Sequence, residues 1–294
     1  MSTEAADVVA PTLDPTWDLP AVPSVEAVRG GPLPPTLVLG KDKEEALHEL
    51  GRWVRAEGLP DTADSELVKF IHSCDYDLEK AKKCARDFYK GRRDNPELFS
   101  GWDTALPNMQ SIHDVVLCAT LPRKTPENFR IMVTALKTSD TTNYVIADVC
   151  KSMLMSMEML FLTEPTCAGI VVLHDLSKVT FSHFLKVAWS MPRKLQAYME
   201  DGLPIKRETV HLLNCSPFVD NGLKLMRHIG RKEDWDRMRV HRAAGDYSEL
   251  HKFVPVDCLP SDFGGSLPSL EELHDMTIRR MAAFKDIFRS RGLI

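Results

Sequence analysis

An α/β fold, with a mainly parallel sheet flanked by helices and a small all-helical unit before it, is what this 294-residue sequence predicts. Three observations lead there. Short aliphatic, β-branched runs alternate with amphipathic stretches of helical length, the pattern of strand–helix–strand units. One of those runs, AGIVVLHDL (168–176), is almost continuously apolar, as a strand buried on both faces requires. Before them, residues 41–100 carry only the spacing of helices.

In chain order, residues 1–40 hold seven of the nineteen prolines and five acids against Arg29, without sustained periodicity, and read as an extended or disordered arm. From Lys41 onward, Leu47, Leu50, Trp53 and Val54 mark a helix that Gly58-Leu59-Pro60 ends. DSELVKFIHSC and DLEKAKKCARDFYKGRRDNP each open on a capping-type acid, and Asn95-Pro96 closes the second. The helical unit is therefore set at 41–100 and the α/β unit at 101–290. FRIMVTAL (129–136), AGIVVLHDL, TVHLLNC (209–215) and RMRVHR (237–242) are the expected strands. Helical patterns at 144–162, 181–201 and 217–229 lie between them, and a last amphipathic helix spans 269–288.

With 44% hydrophobic and 27% charged residues, the chain has the composition of a soluble globular protein with a sizeable core. A net charge of −5 and a pI near 6.1 argue against nucleic acid as a partner. The seven cysteines are scattered without a CxxC pair, which reads as reduced thiols rather than disulfides or a zinc site. MSTEAADVVAPTLDP lacks a signal-peptide pattern, so a cytoplasmic location is expected. The apolar stretch 144–162 is interrupted by Asp148, Lys151 and Glu158, which are costly in lipid.

Catalytic motifs are absent: no G-x-G-x-x-G after a strand, no P-loop, no G-x-S-x-G, no H-E-x-x-H. No enzyme, metal or cofactor is expected. His174 and Asp175 end a buried strand, where ligands bind in open α/β sheets, but adjacent strand residues point to opposite faces and form no dyad. A pocket-rim or capping role suits them better than catalysis. His211 reads as a hydrogen-bonded structural imidazole and Cys215 as an inert thiol. Met153, Met155, Met157 and Met159 spread around their helix, which fits core packing or the wall of an adaptable apolar cavity.

VHLLNCSPFVDNGLKLMRHIG (210–230) runs from a strand into an amphipathic helix, with Phe218, Val219, Gly222, Leu225, Met226 and Ile229 on one side. Core packing is the plain reading of that face. Residues 204–242, however, carry nine Lys and Arg against five acids in a chain that is acidic overall. Cations beside an apolar helix are the recipe for reversible attachment to a membrane surface, while a solvated face with ion pairs is the competing reading.

These segments together resemble the CRAL-TRIO lipid-binding family, in the branch of the tocopherol and retinaldehyde carriers and the clavesins. LVKFIHSCDYDLEKAKKCARDFYKGRRDNPELF (67–99) is similar to its helical N-terminal motif. GIVVLHDL, VHLLN and the closing LPSDFGG (259–265) are similar to its lipid-binding domain, with Asp262-Phe263 where Glu-Tyr is usual. The resemblance implies a non-enzymatic, monomeric carrier whose apolar cavity is closed by a gate helix, here 217–229, that covers the ligand when shut and enters lipid when open. It implies a cavity lined by Val171, Leu173, Val210 and Leu212 from strands, by Phe181, Phe184, Leu185, Ala188, Trp189 and Leu195 from one helix, and by Phe218, Leu223, Leu225 and Met226 from the gate. It also implies phosphoinositide or anionic-membrane docking. Lys206 and Arg237 match two basic positions by location and Arg207 adds a third cation, but Glu208 and Glu233 stand where two other basic residues would be. The alternative is a membrane-binding adaptor or sensor that keeps the fold without transferring lipid.

Overall fold

The computed structural model describes residues 19–30, 33, 37–60, 63–190, 198–226, 232–242 and 245–294, without the side chains of 29, 30, 187–190, 225, 226 and 234. Most of the expected arm lies outside the described residues. Its described part is not wholly extended, because Val25–Gly30 forms a short helix, α1, whose Val28 is buried.

Three amphipathic helices follow, α2 (Lys41–Ala56), α3 (Asp64–Ser73) and α4 (Leu78–Asp94). Leu47, Leu50 and Val54 of α2, Leu67, Phe70 and Ile71 of α3, and Ala81, Ala85 and Phe88 of α4 recur at i, i+3, i+4 and are buried together. Asp77 caps α4 by accepting from the Lys80 amide at 3.1 Å. Helix α5 (Pro107–His113) then leads to the sheet.

Among the described residues the sheet has five strands in sequence order: β1 (Val116–Thr120), β2 (Phe129–Leu136), β3 (Gly169–Asp175), β4 (Arg207–Leu213) and β5 (Met238–Val240). β1 pairs antiparallel with β2, and every other pairing is parallel. Helix α6 (Ile146–Thr163) connects β2 to β3, and α7 (Phe181–Ser190) with a π-helical turn at Tyr198–Gly202 connects β3 to β4. Helices α8 (Pro217–Met226) and α9 (Lys232–Asp236) lie between β4 and β5. Of the expected 181–201 helix, residues 191–197 lie outside the described residues and Tyr198–Gly202 is a π-helical turn, and the expected last helix is two, α10 (Leu270–Ala283) and α11 (Lys285–Ser290), hinged at the fully buried Phe284.

Two apolar layers sandwich the sheet. On one face, Met132, Ile170 and Val172 pack with α6 and the N-terminal helices. On the other, Ile131, Val133, Val171 and Leu173 meet Phe263, Leu267, Leu270 and Leu273. The near-continuous apolar run of β3 thus supplies both layers at once. In the LPSDFGG turn, a Cβ on Gly265 would stand 1.9 Å from the Leu259 carbonyl oxygen, so only glycine fits, and Asp262 accepts from the Leu270 amide at 2.7 Å where α10 begins.

The N-terminal helices join the first layer directly. Phe88 and Phe99 lie against Tyr198, and a Cβ on Gly91 would come within 2.5 Å of the Tyr198 ring. All seven cysteines are free, and no helix among the described residues is long and apolar enough to cross a membrane.

Candidate functional site

A cavity of about 310 Å³ opens at the carboxyl ends of the parallel strands. Thr134, Ala135 and Leu136 end β2, His174 and Asp175 end β3, and Leu212 lies near the end of β4; with Val116 at the start of the antiparallel β1, they form its floor. Open α/β sheets bind ligands outside the carboxyl ends of their strands, and here, where the strands run in sequence order, the crevice lies between the sheet and the connecting helices. Val149, Cys150 and Met153 of α6, His183 and Phe184 of α7, and Phe218, Val219 and Leu223 of α8 make up much of its walls. The volume is at the small end of the ~300–1,000 Å³ typical of small-molecule sites.

The polar groups on this wall are few and mostly paired. His174 Nδ1 shares a 2.5 Å hydrogen bond with the Thr134 hydroxyl, its cross-strand neighbour. Burial lowers the His174 pKa to about 4, so the ring is neutral near pH 7. Asp175 accepts from the Ser177 amide at 3.0 Å and from the Asn214 side chain at 2.8 Å. Tyr144 packs edge-on against His183, and burial raises its phenol to about 12. Among the described residues no group of metal-ligating side chains comes together.

The structure divides the sequence-derived candidates. Phe184, Leu212, Phe218 and Leu223 line the cavity. Val171 and Leu173 do not, and this corrects the choice of face on β3. They point into the opposite layer, because alternate residues of a strand face opposite sides and the cavity lies on the His174 side. Val210 is half-buried and packs against the first apolar layer rather than reaching the cavity. Phe181 and Leu185 are turned outward, 56% and 40% exposed. Leu195 falls outside the described residues, as do the side chains of Ala188, Trp189, Leu225 and Met226.

Lys206, Arg207 and Arg237 stand at the amino ends of β4 and β5, where the Arg237 carbonyl accepts from the Val210 amide at 3.1 Å. Along the strands Lys206 is roughly 20 Å from Leu212 of the cavity floor, and Arg237, level with Thr209, is roughly 10 Å from it. Lys206 is ion-paired with Asp75 of the helical region, and Arg237 is exposed.

Other wall residues had no single strong signal in the sequence. Tyr144, Val149 and Cys150 sit among residues of core character. Met153 does line the cavity while Met155, Met157 and Met159 are buried in the core, so the two readings of the methionines each hold for part of the set. His183 had a usable signal: Thr180 and His183 occupy the two positions of a capping box, with histidine in place of Glu or Gln. His211 is a structural imidazole, bonded to His241 at 2.9 Å and Thr209 at 3.0 Å, and burial raises the Cys215 thiol pKa.

Fold and cavity together define an α/β domain with an apolar pocket at the carboxyl end of its sheet. The CRAL/TRIO domain matches residues 116–265, just over half of the sequence, and a Pinta-like UBA domain matches residues 39–109. The chain belongs to the CRAL/TRIO domain family. It is 23% identical over 210 residues to the alpha-tocopherol transfer protein-like protein of Mus musculus, covering 71% of this chain and 60% of that one. It is 22% identical over 208 residues to clavesin-2 of Rattus norvegicus, covering 70% and 63%. The chain thus spans less than two thirds of the length of these relatives. The crystal structure of Sfh5 shares the fold, with a TM-score of 0.51 at 12% identity over 86% of this chain and all of that one.

Proposed function

We propose that this chain is a non-enzymatic carrier that binds a small hydrophobic molecule in the cavity and delivers it between membranes. The observation that carries the proposal is the apolar cavity beneath α7 and α8, with its outer rim made of exposed aromatic and aliphatic side chains. Phe181, Leu185 and Phe218 are 56%, 40% and 41% exposed, and the Phe181 and Phe218 rings meet edge to face at 5.4 Å. Phe218 both lines the cavity and reaches solvent. A membrane-facing mouth has that composition, whereas a resting soluble surface rarely gathers such side chains. In this reading α8 is the gate.

Binding in such a site is driven by area. A ligand burying some 400 Å² would gain on the order of 10 kcal/mol as an upper bound, so escape into water is slow and a membrane must provide the exit. Arg207 and Arg237 would add attraction to anionic lipid or a phosphoinositide head group, about 1 kcal/mol for each cation held near the surface. Native mass spectrometry and solvent extraction of the purified chain should recover a bound apolar molecule. A protein that binds anionic vesicles but takes up no apolar probe would instead be an adaptor.

A further inference from the structure

His183 holds a hydrogen-bond donor that has no partner among the described residues. Thr180 precedes α7, and its backbone amide donates to His183 Nδ1 at 3.3 Å while its hydroxyl lies 2.8 Å from the same nitrogen. A backbone amide can only donate, so Nδ1 is an acceptor and the proton of the neutral ring is on Nε2. Burial and the neighbouring Lys186 ammonium both lower the His183 pKa, which keeps the ring neutral. The residue is 2% exposed, and its Nε2 is buried with no hydrogen-bond partner among the described residues. His183 also lines the cavity. Buried donors in native proteins are nearly always satisfied, so an orphan on a cavity wall points to a partner that arrives with the ligand.

The surroundings restrict that partner. Val149, Leu176, Val179, Phe184 and Leu223 make the wall largely apolar. The nearby cation is engaged, since Lys186 Nζ donates to the Thr141 and Tyr144 carbonyls, and the carboxylate-bearing side chain on the wall is Asp175. A buried anionic head would therefore lack a counter-charge and meet a like one. We propose that His183 Nε2–H is the polar anchor of the cavity and that the ligand is an apolar chain or ring system bearing one uncharged oxygen acceptor, a hydroxyl or a carbonyl. This rests on the carrier reading and specifies its ligand class.

The test uses the delipidated full-length chain with Nile red as a displaceable apolar probe and 1-dodecanol, n-dodecane and dodecanoate as competitors. Wild type should prefer dodecanol to dodecane by about tenfold, the cost of leaving a buried donor unpaired. H183L, which leaves the dodecanol hydroxyl buried without a partner, should lose or reverse the preference, and H183Q, whose amide nitrogen can stand near the position of Nε2, should keep it. In long-range ¹H–¹⁵N imidazole spectra of wild type, dodecanol should shift the His183 Nε2 resonance and dodecane should not. Equal affinity of wild type for dodecanol and dodecane, with that resonance unmoved, overturns the anchor and leaves the carrier intact, whether or not H183L folds. Tighter binding of dodecanoate than dodecanol overturns the uncharged class. If neither Nile red nor any competitor binds, the carrier reading fails and takes the anchor with it.

Discussion

Glu158, without exposed surface in the middle of α6, lies 2.9 Å from the guanidinium of Arg291, which follows the last helix. Arg92 of α4 pairs with the same carboxylate, while Arg291 also reaches Glu66 of α3 at 2.7 Å and Glu66 holds Lys69 at 2.7 Å. Five alternating charges thus tie the N-terminal helices to the sheet layer and to the end of α11. Such a network is satisfied only when all of its members are present.

Glu158→Gln should therefore destabilise the protein by about 3–5 kcal/mol in urea unfolding, because it leaves two buried guanidinium groups short of charge. Replacing an exposed pair such as Lys252 and Glu249 should change little. Equal effects from the two sites would refute the network's role.

Acid should weaken the fold in two steps. Burial, first of all, lowers the His113, His174 and His211 pKa values to about 4 from 6.5. The unfolded chain then binds more protons, so their contribution is complete above pH 6.5 and is lost as pH falls towards 4. For Glu158, burial alone would raise the pKa, but Arg92, Arg291 and Lys69 outweigh it and hold it at about 2. Its contribution is present above 4.5 and disappears as pH falls towards 2. Urea midpoints from pH 8 to 3 should stay level to about 6.5 and then decline; a flat profile down to pH 4 would contradict the neutral histidines.

The proposed gate, α8, has an identifiable tether. Asp220 on α8 accepts from Arg242, beyond β5, at 2.7 Å and pairs with Lys224 at 3.2 Å, and these bonds hold its carboxyl below the usual range. Asp220→Asn should speed exchange of an apolar probe several-fold with little change in Tm, and high salt should reproduce part of the effect in wild type. Unchanged exchange would place the barrier elsewhere.

The rim should matter to membranes more than to folding. Phe181→Ser with Phe218→Ser removes exposed apolar surface, each ring worth about 1.5–3 kcal/mol on full transfer from water. Vesicle sedimentation should show at least a tenfold loss of partitioning with a nearly unchanged urea midpoint. A large stability loss with normal partitioning would make these rings core residues.

Cavity volume itself can be tested at Met153. Met153→Trp should fill the cavity, at an overpacking cost of about 1–3 kcal/mol, and abolish uptake of Nile red while anionic-vesicle binding persists. Full uptake by this variant would show that the ligand lies elsewhere.

Periodicity and run length by themselves determine much of this fold. The strands at 129–136, 168–176, 209–215 and 237–242 and the helix at 144–162 appear close to their expected bounds, and the expected 217–229 helix starts where expected, its last residues lying outside the described residues. β1 carries no sequence signal of its own, because VLCAT is only five residues, too short for alternation to register, and it lies against α10, far along the chain. The break at Phe284 is equally silent, since α10 and α11 continue one apolar period through a buried ring. Phe184, Leu212, Phe218 and Leu223 of the cavity were legible because each sits on a clearly amphipathic helix or next to a polar strand neighbour.

What the sequence by itself determined is the class of fold and which segments build the pocket; which side chains face it was left to the tertiary structure. In β3 every residue from Ile170 to Leu173 is apolar, so the pattern carries no face information, and only pairing with β2 and β4 turns His174 towards the cavity and Val171 and Leu173 away. The orphan nitrogen of His183 is likewise a product of packing, because a donor becomes costly only once α6, α7 and the sheet have removed the water that would have paired with it.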